Sequence, residues 1–155
     1  MFNIRVYGIL INEQKQVLVS DEFIRGNYYT KFCGGGLEKG EGTIDCLKRE
    51  FIEEMNLPVE IIEHLYTTDF YQQSAFNPAH QIISIYYLVK PLAAITAPLR
   101  TAAFQFDEAQ LKVYDELGEI ETFRFIHWED FSPESVSLPI DKVVVKLVKE
   151  RFGET

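Results

Sequence analysis

Cysteine is scarce in this chain, with two residues among 155, Cys33 and Cys46. So few thiols at this length exclude a disulfide-stapled scaffold and read as reduced cysteines. Basic charge is also short: 15 Lys and Arg face 24 Asp and Glu, a formal net charge of −9. With no run of Lys or Arg, the electrostatic footprint of a nucleic-acid-binding protein is missing. No stretch approaches the roughly 18 consecutive apolar residues of a membrane helix, and MFNIRVYGILINEQKQ at the N-terminus holds no apolar core with a cleavage site. The expected location is therefore the cytoplasm, with no membrane partner. Internal repeats and low-complexity tracts are lacking too. The remaining composition, 46% hydrophobic and 25% charged, is that of an ordinary globular protein. Its length fits one domain, 1–155, able to bury about 70% of the surface its unfolded chain exposes.

What is present concentrates between Gly35 and Leu57. Glu50, Glu53 and Glu54 stand at i, i+3 and i+4, on one face of a helix, where like charges repel and a positive partner is required. Hard divalent cations bind carboxylate oxygens, and Mg²⁺ usually combines one or two carboxylates with waters and substrate phosphates. A phosphate-processing metal site is the chemistry this pattern favours, and an anionic nucleotide reaches an acidic protein most readily as a metal complex. Gly34, Gly35 and Gly36, just before, allow close backbone approach to metal or phosphate.

The full spacing is Gly35, five residues, Glu41, seven residues, Arg49, Glu50, Phe51, one residue, Glu53, Glu54, one residue, Asn56, Leu57. It resembles the signature box of the Nudix hydrolases. Two positions depart from the family pattern: Phe51 stands where the box has an aliphatic residue, and Asn56 where it has glycine. Asn tolerates the left-handed conformation that ends helices, so it can serve the same backbone purpose. Six identities at fixed spacing arise by chance on the order of once in ten million windows.

Periodicity supplies the framework. Residues 2–11 and 16–20 read as strands joined by a turn, followed by the acidic pair Asp21 and Glu22; 28–32 read as a short strand feeding a tight glycine loop. Thr43 is the expected N-cap of a helix whose apolar stripe is Ile44, Leu47, Phe51 and Met55. The glutamates fall beside that stripe, at the edge of the core. Residues 59–69 and 81–89 read as longer strands around a polar loop, and 91–104 as a connection. Residues 109–117 suit a short helix, 122–128 a last strand, and Pro139 opens a C-terminal helix through Phe152. The expected fold is α/β, which the resemblance specifies as an α/β/α sandwich with a central mixed β-sheet, a catalytic helix after the glycine-rich loop and a C-terminal helix.

The resemblance also implies a function: hydrolysis of the diphosphate linkage of a nucleoside diphosphate derivative, a nucleoside triphosphate or nucleotide sugar, by a metal-activated water. It implies Mg²⁺ or Mn²⁺ held by Glu50, Glu53 and Glu54 with the Gly35 backbone. Glu41 and Arg49 would tie loop to helix, and Glu53 or Glu54, or Glu119 or Glu121 in the loop before the last strand, would take the water's proton. A homodimer is implied as well. Arg25 and Lys31 are candidates for phosphates, Tyr29 for base stacking beside Tyr28, Tyr66, Phe70 and Tyr71, and Glu121 for a substrate contact; His64, His80 and His127 read as structural. The alternatives are an inactive nucleotide-binding or regulatory module of the same fold, and an isomerase of a small diphosphate.

Overall fold

The computed structural model describes residues 1–153; the last two positions of the expected domain, 154 and 155, lie outside the described residues. The order of elements is β1 (Phe2–Leu10), β2 (Gln16–Ile24), β3 (Asn27–Lys31), β4 (Cys33–Gly36), α1 (Thr43–Met55), β5 (Val59–Thr67), β6 (Gln81–Pro91), β7 (Leu99–Arg100), α2 (Glu108–Leu117), β8 (Glu119–His127) and α3 (Pro139–Phe152), with a 3-10 turn at Pro133–Ser135. The α/β fold expected from the sequence is what these elements form, with the strands divided between two mixed four-stranded sheets, β4-β1-β6-β5 and β3-β2-β8-β7. The contacts separate into two compact units, one around each sheet.

The first unit comprises Met1–Leu10 and Cys33–Thr96. β1 runs parallel to β6 and antiparallel to β4, so although a turn at Asn12 and Lys15 follows it as expected, β1 and β2 belong to different sheets. The glycine triplet, expected as a tight loop, is itself a strand, because β1 supplies a partner in register from Gly8 opposite Cys33 to Arg5 opposite Gly36. Behind it α1 buries Cys46, Leu47, Phe51 and Met55. Two expectations for this helix are corrected. Ile44 is 44% exposed, since it falls in the first turn, and its share of the stripe passes to Cys46, whose thiol is drawn onto Gly36 O at 3.5 Å. The N-cap is Gly42, not Thr43; the Thr43 hydroxyl is engaged with that of Tyr87 at 2.6 Å. At the other end Asn56 adopts φ 50° and ψ 37°, the left-handed cap anticipated for it.

Phe51 fits because β1 has a glycine beneath it. A Cβ on Gly8 would lie 2.8 Å from Phe51 Cε2 and 3.2 Å from Val89 Cγ1, inside ordinary packing distance. The ring occupies the space a side chain on Gly8 would take.

The second unit comprises Ile11–Phe32 and Ala97–Thr155. Here β2 does not stop before Asp21 and Glu22 but carries both into the sheet. Asp21 is fully buried and accepts from Arg124 Nε at 2.6 Å, Arg124 Nη2 at 3.2 Å, Thr30 Oγ1 at 2.8 Å and the Phe104 N–H at 3.2 Å. A carboxylate with four donors is satisfied, so polarity no longer ends the strand. β8 likewise starts at Glu119 and not at Thr122, which places Glu119 and Glu121 in the strand and not in a preceding loop. The segment expected only to connect contains β7, which pairs parallel to β8 through Leu99 and Arg100. α2 is set by a capping box in which Asp107 Oδ1 accepts from Gln110 N at 2.8 Å and Gln110 Oε1 from Asp107 N at 3.1 Å. α3 follows the expected bounds and buries Ile140, Val144, Val145 and Val148.

Breaking a buried ion pair leaves one charge uncompensated. Asp21→Ala is expected to lower stability by about 3 to 5 kcal/mol in urea unfolding, and joint replacement with Arg124→Met to recover part of that loss.

Candidate active site

Arg49 organises the first unit's cluster. Its guanidinium has five N–H groups, and each finds an acceptor: Nε donates to Glu41 Oε2 at 2.9 Å, Nη2 to Glu41 Oε1 at 2.7 Å and Gly36 O at 3.2 Å, and Nη1 to Glu50 Oε1 at 3.0 Å and Glu53 Oε2 at 3.1 Å. The pairing with Glu41 is bidentate, the geometry a planar fork suits best. One side chain thus joins the end of β4, the segment that follows it and two turns of α1. It is also the positive charge that three glutamates at helical spacing require.

Gly35 faces α1. A Cβ there would lie 2.5 Å from Glu50 Cδ and 2.6 Å from both its carboxylate oxygens, so the missing side chain is the cradle of that carboxylate. Glu50 is 13% exposed at the side chain and Glu53 57%; Glu54 is half-buried in the same turn. Of the expected site residues, Gly35, Glu41, Arg49, Glu50 and Glu53 are therefore brought together, with Glu54 one residue on.

Electrostatics follow the geometry. The hydrogen bonds from Arg49, reinforced by the Glu38 backbone N–H, hold the Glu41 carboxyl down at about 2. Pairing with Glu41 pushes Arg49 upward from its ordinary value. Burial pushes the Cys46 thiol up to about 12, so this cysteine stays protonated beside the cluster.

Among the described residues no three His, Cys, Asp or Glu side chains stand assembled as a ligand set, because Glu50 and Glu53 both close on Arg49 Nη1. The donor chemistry nevertheless fits a hard cation: a positive centre already sits between two carboxylates, one of them cradled by bare backbone.

Of the other candidates, Tyr66, Phe70 and Tyr71 lie in the first unit, and Arg25, Tyr28, Tyr29, Lys31, Glu119 and Glu121 in the second. Arg25 is exposed in a turn, at φ 47°, its N–H on Gly118 O at 2.9 Å. Lys31 is buried, pairs with Glu22 at 3.3 Å and lies 5.5 Å from the Tyr29 ring centroid. Glu121 accepts from Ser20 Oγ at 2.9 Å. Tyr28 stacks on Phe23 at 4.3 Å. Sequence reading missed the Gly36 carbonyl and the Cys46 thiol as members of the cluster, and Glu22 as the partner of Lys31. Strand register places Gly36 and Glu22, the buried face of α1 places Cys46, and only the glycine triplet signalled that backbone mattered.

An α/β fold with a carboxylate-bearing helix behind a glycine strand defines the class, and the NUDIX domain family model matches residues 1–146. The chain belongs to that family, the Nudix hydrolases whose box it carries. Solved structures similar to it include the E. coli ORF135 protein (13% identity, TM-score 0.68, covering 99% of this chain and 93% of that one). A NUDIX hydrolase from Nitrosomonas europaea matches at 14% identity and TM-score 0.69, over 97% of this chain and 90% of that one. The MutT structure from work on Aliivibrio salmonicida and Vibrio cholerae matches at 16% and 0.63, over 97% and 99%. No curated protein sequence matches the chain. At these identities the structural likeness speaks for the fold.

Two outcomes follow. A Cβ on Gly34 would come within 2.0 Å of Val6 O, whereas one on Gly36 would meet only Arg5 Nη1 at 3.7 Å. Gly34→Ala is therefore expected to cost at least about 2 kcal/mol in urea unfolding and Gly36→Ala less than about 0.5 kcal/mol. For Glu41, a folded pKa of about 2 against an ordinary 4.5 means that its contribution to stability is present above pH 4.5 and is lost as pH falls through 2. Glu41→Gln should therefore be less stable than the native chain at pH 7, with the gap closing across that acid window.

Proposed function

We propose that this chain is a metal-dependent pyrophosphohydrolase, using Mg²⁺ or Mn²⁺ to cleave the diphosphate linkage of a nucleoside triphosphate or nucleotide sugar. The observation that carries the proposal is the gathering of Gly36 O, Glu41, Glu50 and Glu53 around one guanidinium, with the Glu50 carboxylate cradled by Gly35. Glu50, Glu53 and Glu54, with the Gly35 backbone, are assigned to the cation. When bound, a divalent cation neutralises phosphoryl charge and lowers the pKa of a water for in-line displacement.

The protein's own part is placement. Glu41 and Arg49 fix the helix against the glycine strand, and Gly35 sets the depth at which Glu50 sits. Glu53, held to the cluster only through Arg49 Nη1 and more than half exposed, is the carboxylate with most freedom to exchange the guanidinium for the cation or to accept a proton from water. Tyr29, Lys31, Glu121 and Arg25 are assigned to the substrate. We read the two units as one catalytic domain, supported by a family match that runs through both, in a cytoplasmic protein that forms a homodimer, as the family resemblance implies.

The test is incubation of the purified chain with Mg²⁺ and a panel of nucleoside triphosphates, nucleotide sugars and dinucleoside polyphosphates, following phosphate and pyrophosphate. Turnover of one class is expected, abolished by EDTA and lowered about a hundredfold or more in Glu53→Gln. No turnover across the panel would overturn the reading in favour of a binding module.

A further inference from the structure

Resting on that hydrolase reading, we propose that Arg5 is a phosphate-binding residue of the same site, meeting the substrate's diphosphate from the side of the glycine strand opposite α1. β1 and β4 pair with Val6 opposite Gly35 and Arg5 opposite Gly36. Neighbouring strand residues point to opposite faces. Gly35 therefore opens toward α1, where its missing side chain makes room for the Glu50 carboxylate, and Gly36 opens the other way. There the nearest heavy atom to a Cβ would be Arg5 Nη1, at 3.7 Å. The two glycines leave bare backbone between a carboxylate on one face and a guanidinium on the other, on the terminal strand of the sheet.

Arg5 is held in that position. Its Nε donates to the Tyr7 hydroxyl at 2.7 Å, and its guanidinium carbon lies 5.7 Å from the Tyr7 ring centroid. Tyr7 is 5% exposed and stacks on Tyr86 at a centroid distance of 5.4 Å. The phenol thus sets the plane of the fork, which makes Tyr7 a positioning residue.

Charge and geometry supply the ligand class. A diphosphate approaching a chain of net charge −9 needs positive groups beyond the cation, and a guanidinium fork pairs with phosphate oxygens in a bidentate manner that an ammonium does not. Arg49 is turned to the α1 side, where its fork is tied to Glu41 and its Nη2 to Gly36 O. Arg5 is the arginine on the other side of the same glycines.

The experiment is calorimetric titration of the full chain with imidodiphosphate in Mg²⁺, beside titration with Mn²⁺ alone. Arg5→Gln is expected to bind Mn²⁺ as the native chain does and imidodiphosphate about ten- to a hundredfold more weakly. Arg5→Lys should fall between, and Tyr7→Phe should weaken the analogue severalfold without changing Mn²⁺ affinity. Native affinity for imidodiphosphate in Arg5→Gln, or a native chain that binds Mn²⁺ but not the analogue, would overturn the proposal. A native chain that binds no Mn²⁺ would overturn the hydrolase reading and the Arg5 proposal with it. Urea midpoints establish that each variant is folded; if Arg5→Gln is not, native affinity in Arg5→Lys is the overturning result.

Discussion

Five donors on one planar group, each with its acceptor, hold the candidate site together. Arg49 reaches the end of β4 through Gly36 O, the following segment through Glu41, and α1 through Glu50 and Glu53. Removing one acceptor takes away one or two of these bonds, whereas removing the guanidinium takes away all five and leaves the Cys46 thiol on Gly36 O between helix and strand. A lysine would keep the charge and lose the fork, since an ammonium cannot meet five acceptors spread in a plane.

This arrangement also resolves an electrostatic conflict. A helix with glutamates at i, i+3 and i+4 is weakened by their repulsion, and the weakness is greater in a chain that is acidic throughout. Arg49 offsets it from within the same helix, while Gly35 lets the Glu50 carboxylate sink to 13% exposure without a steric collision. The remaining glutamates stay closer to solvent. The result is a graded set of carboxylates: Glu41 locked in two bonds to the fork, Glu50 cradled, and Glu53 largely exposed.

Much of this was legible in the sequence because chemistry fixes the residue types. Only arginine fits the fork, oxygen donors, carboxylates foremost, suit a hard cation, and Asn56 announced its left-handed cap. The long elements β1, β6, α1 and α3 followed their periodicity. Misreadings arose where tertiary contacts override local polarity. Asp21 and Glu22 look like a strand end, and only Arg124, distant in sequence, turns Asp21 into an interior residue. Glu119 and Glu121 look like loop residues by polarity, and pairing with β2 carries both into β8. β7, two residues long, carries no period to detect. Thr43 is a better cap by type than Gly42, but Tyr87 claims its hydroxyl. The glycine triplet reads as a loop until β1 is known to lie beside it.

The pairing of Phe51 with Gly8 has a consequence for how variation in this family is interpreted. The two positions share one volume, so residue identity at one limits what is admissible at the other: a ring on the helix demands a bare strand beneath it, while a small aliphatic side chain there would relax that demand. A comparison that scores the helix box by itself counts Phe51 as a lapse from the family pattern. Taken together with the strand, the ring is a residue that the bare backbone of Gly8 accommodates, with Val89 closing the other side of the same space.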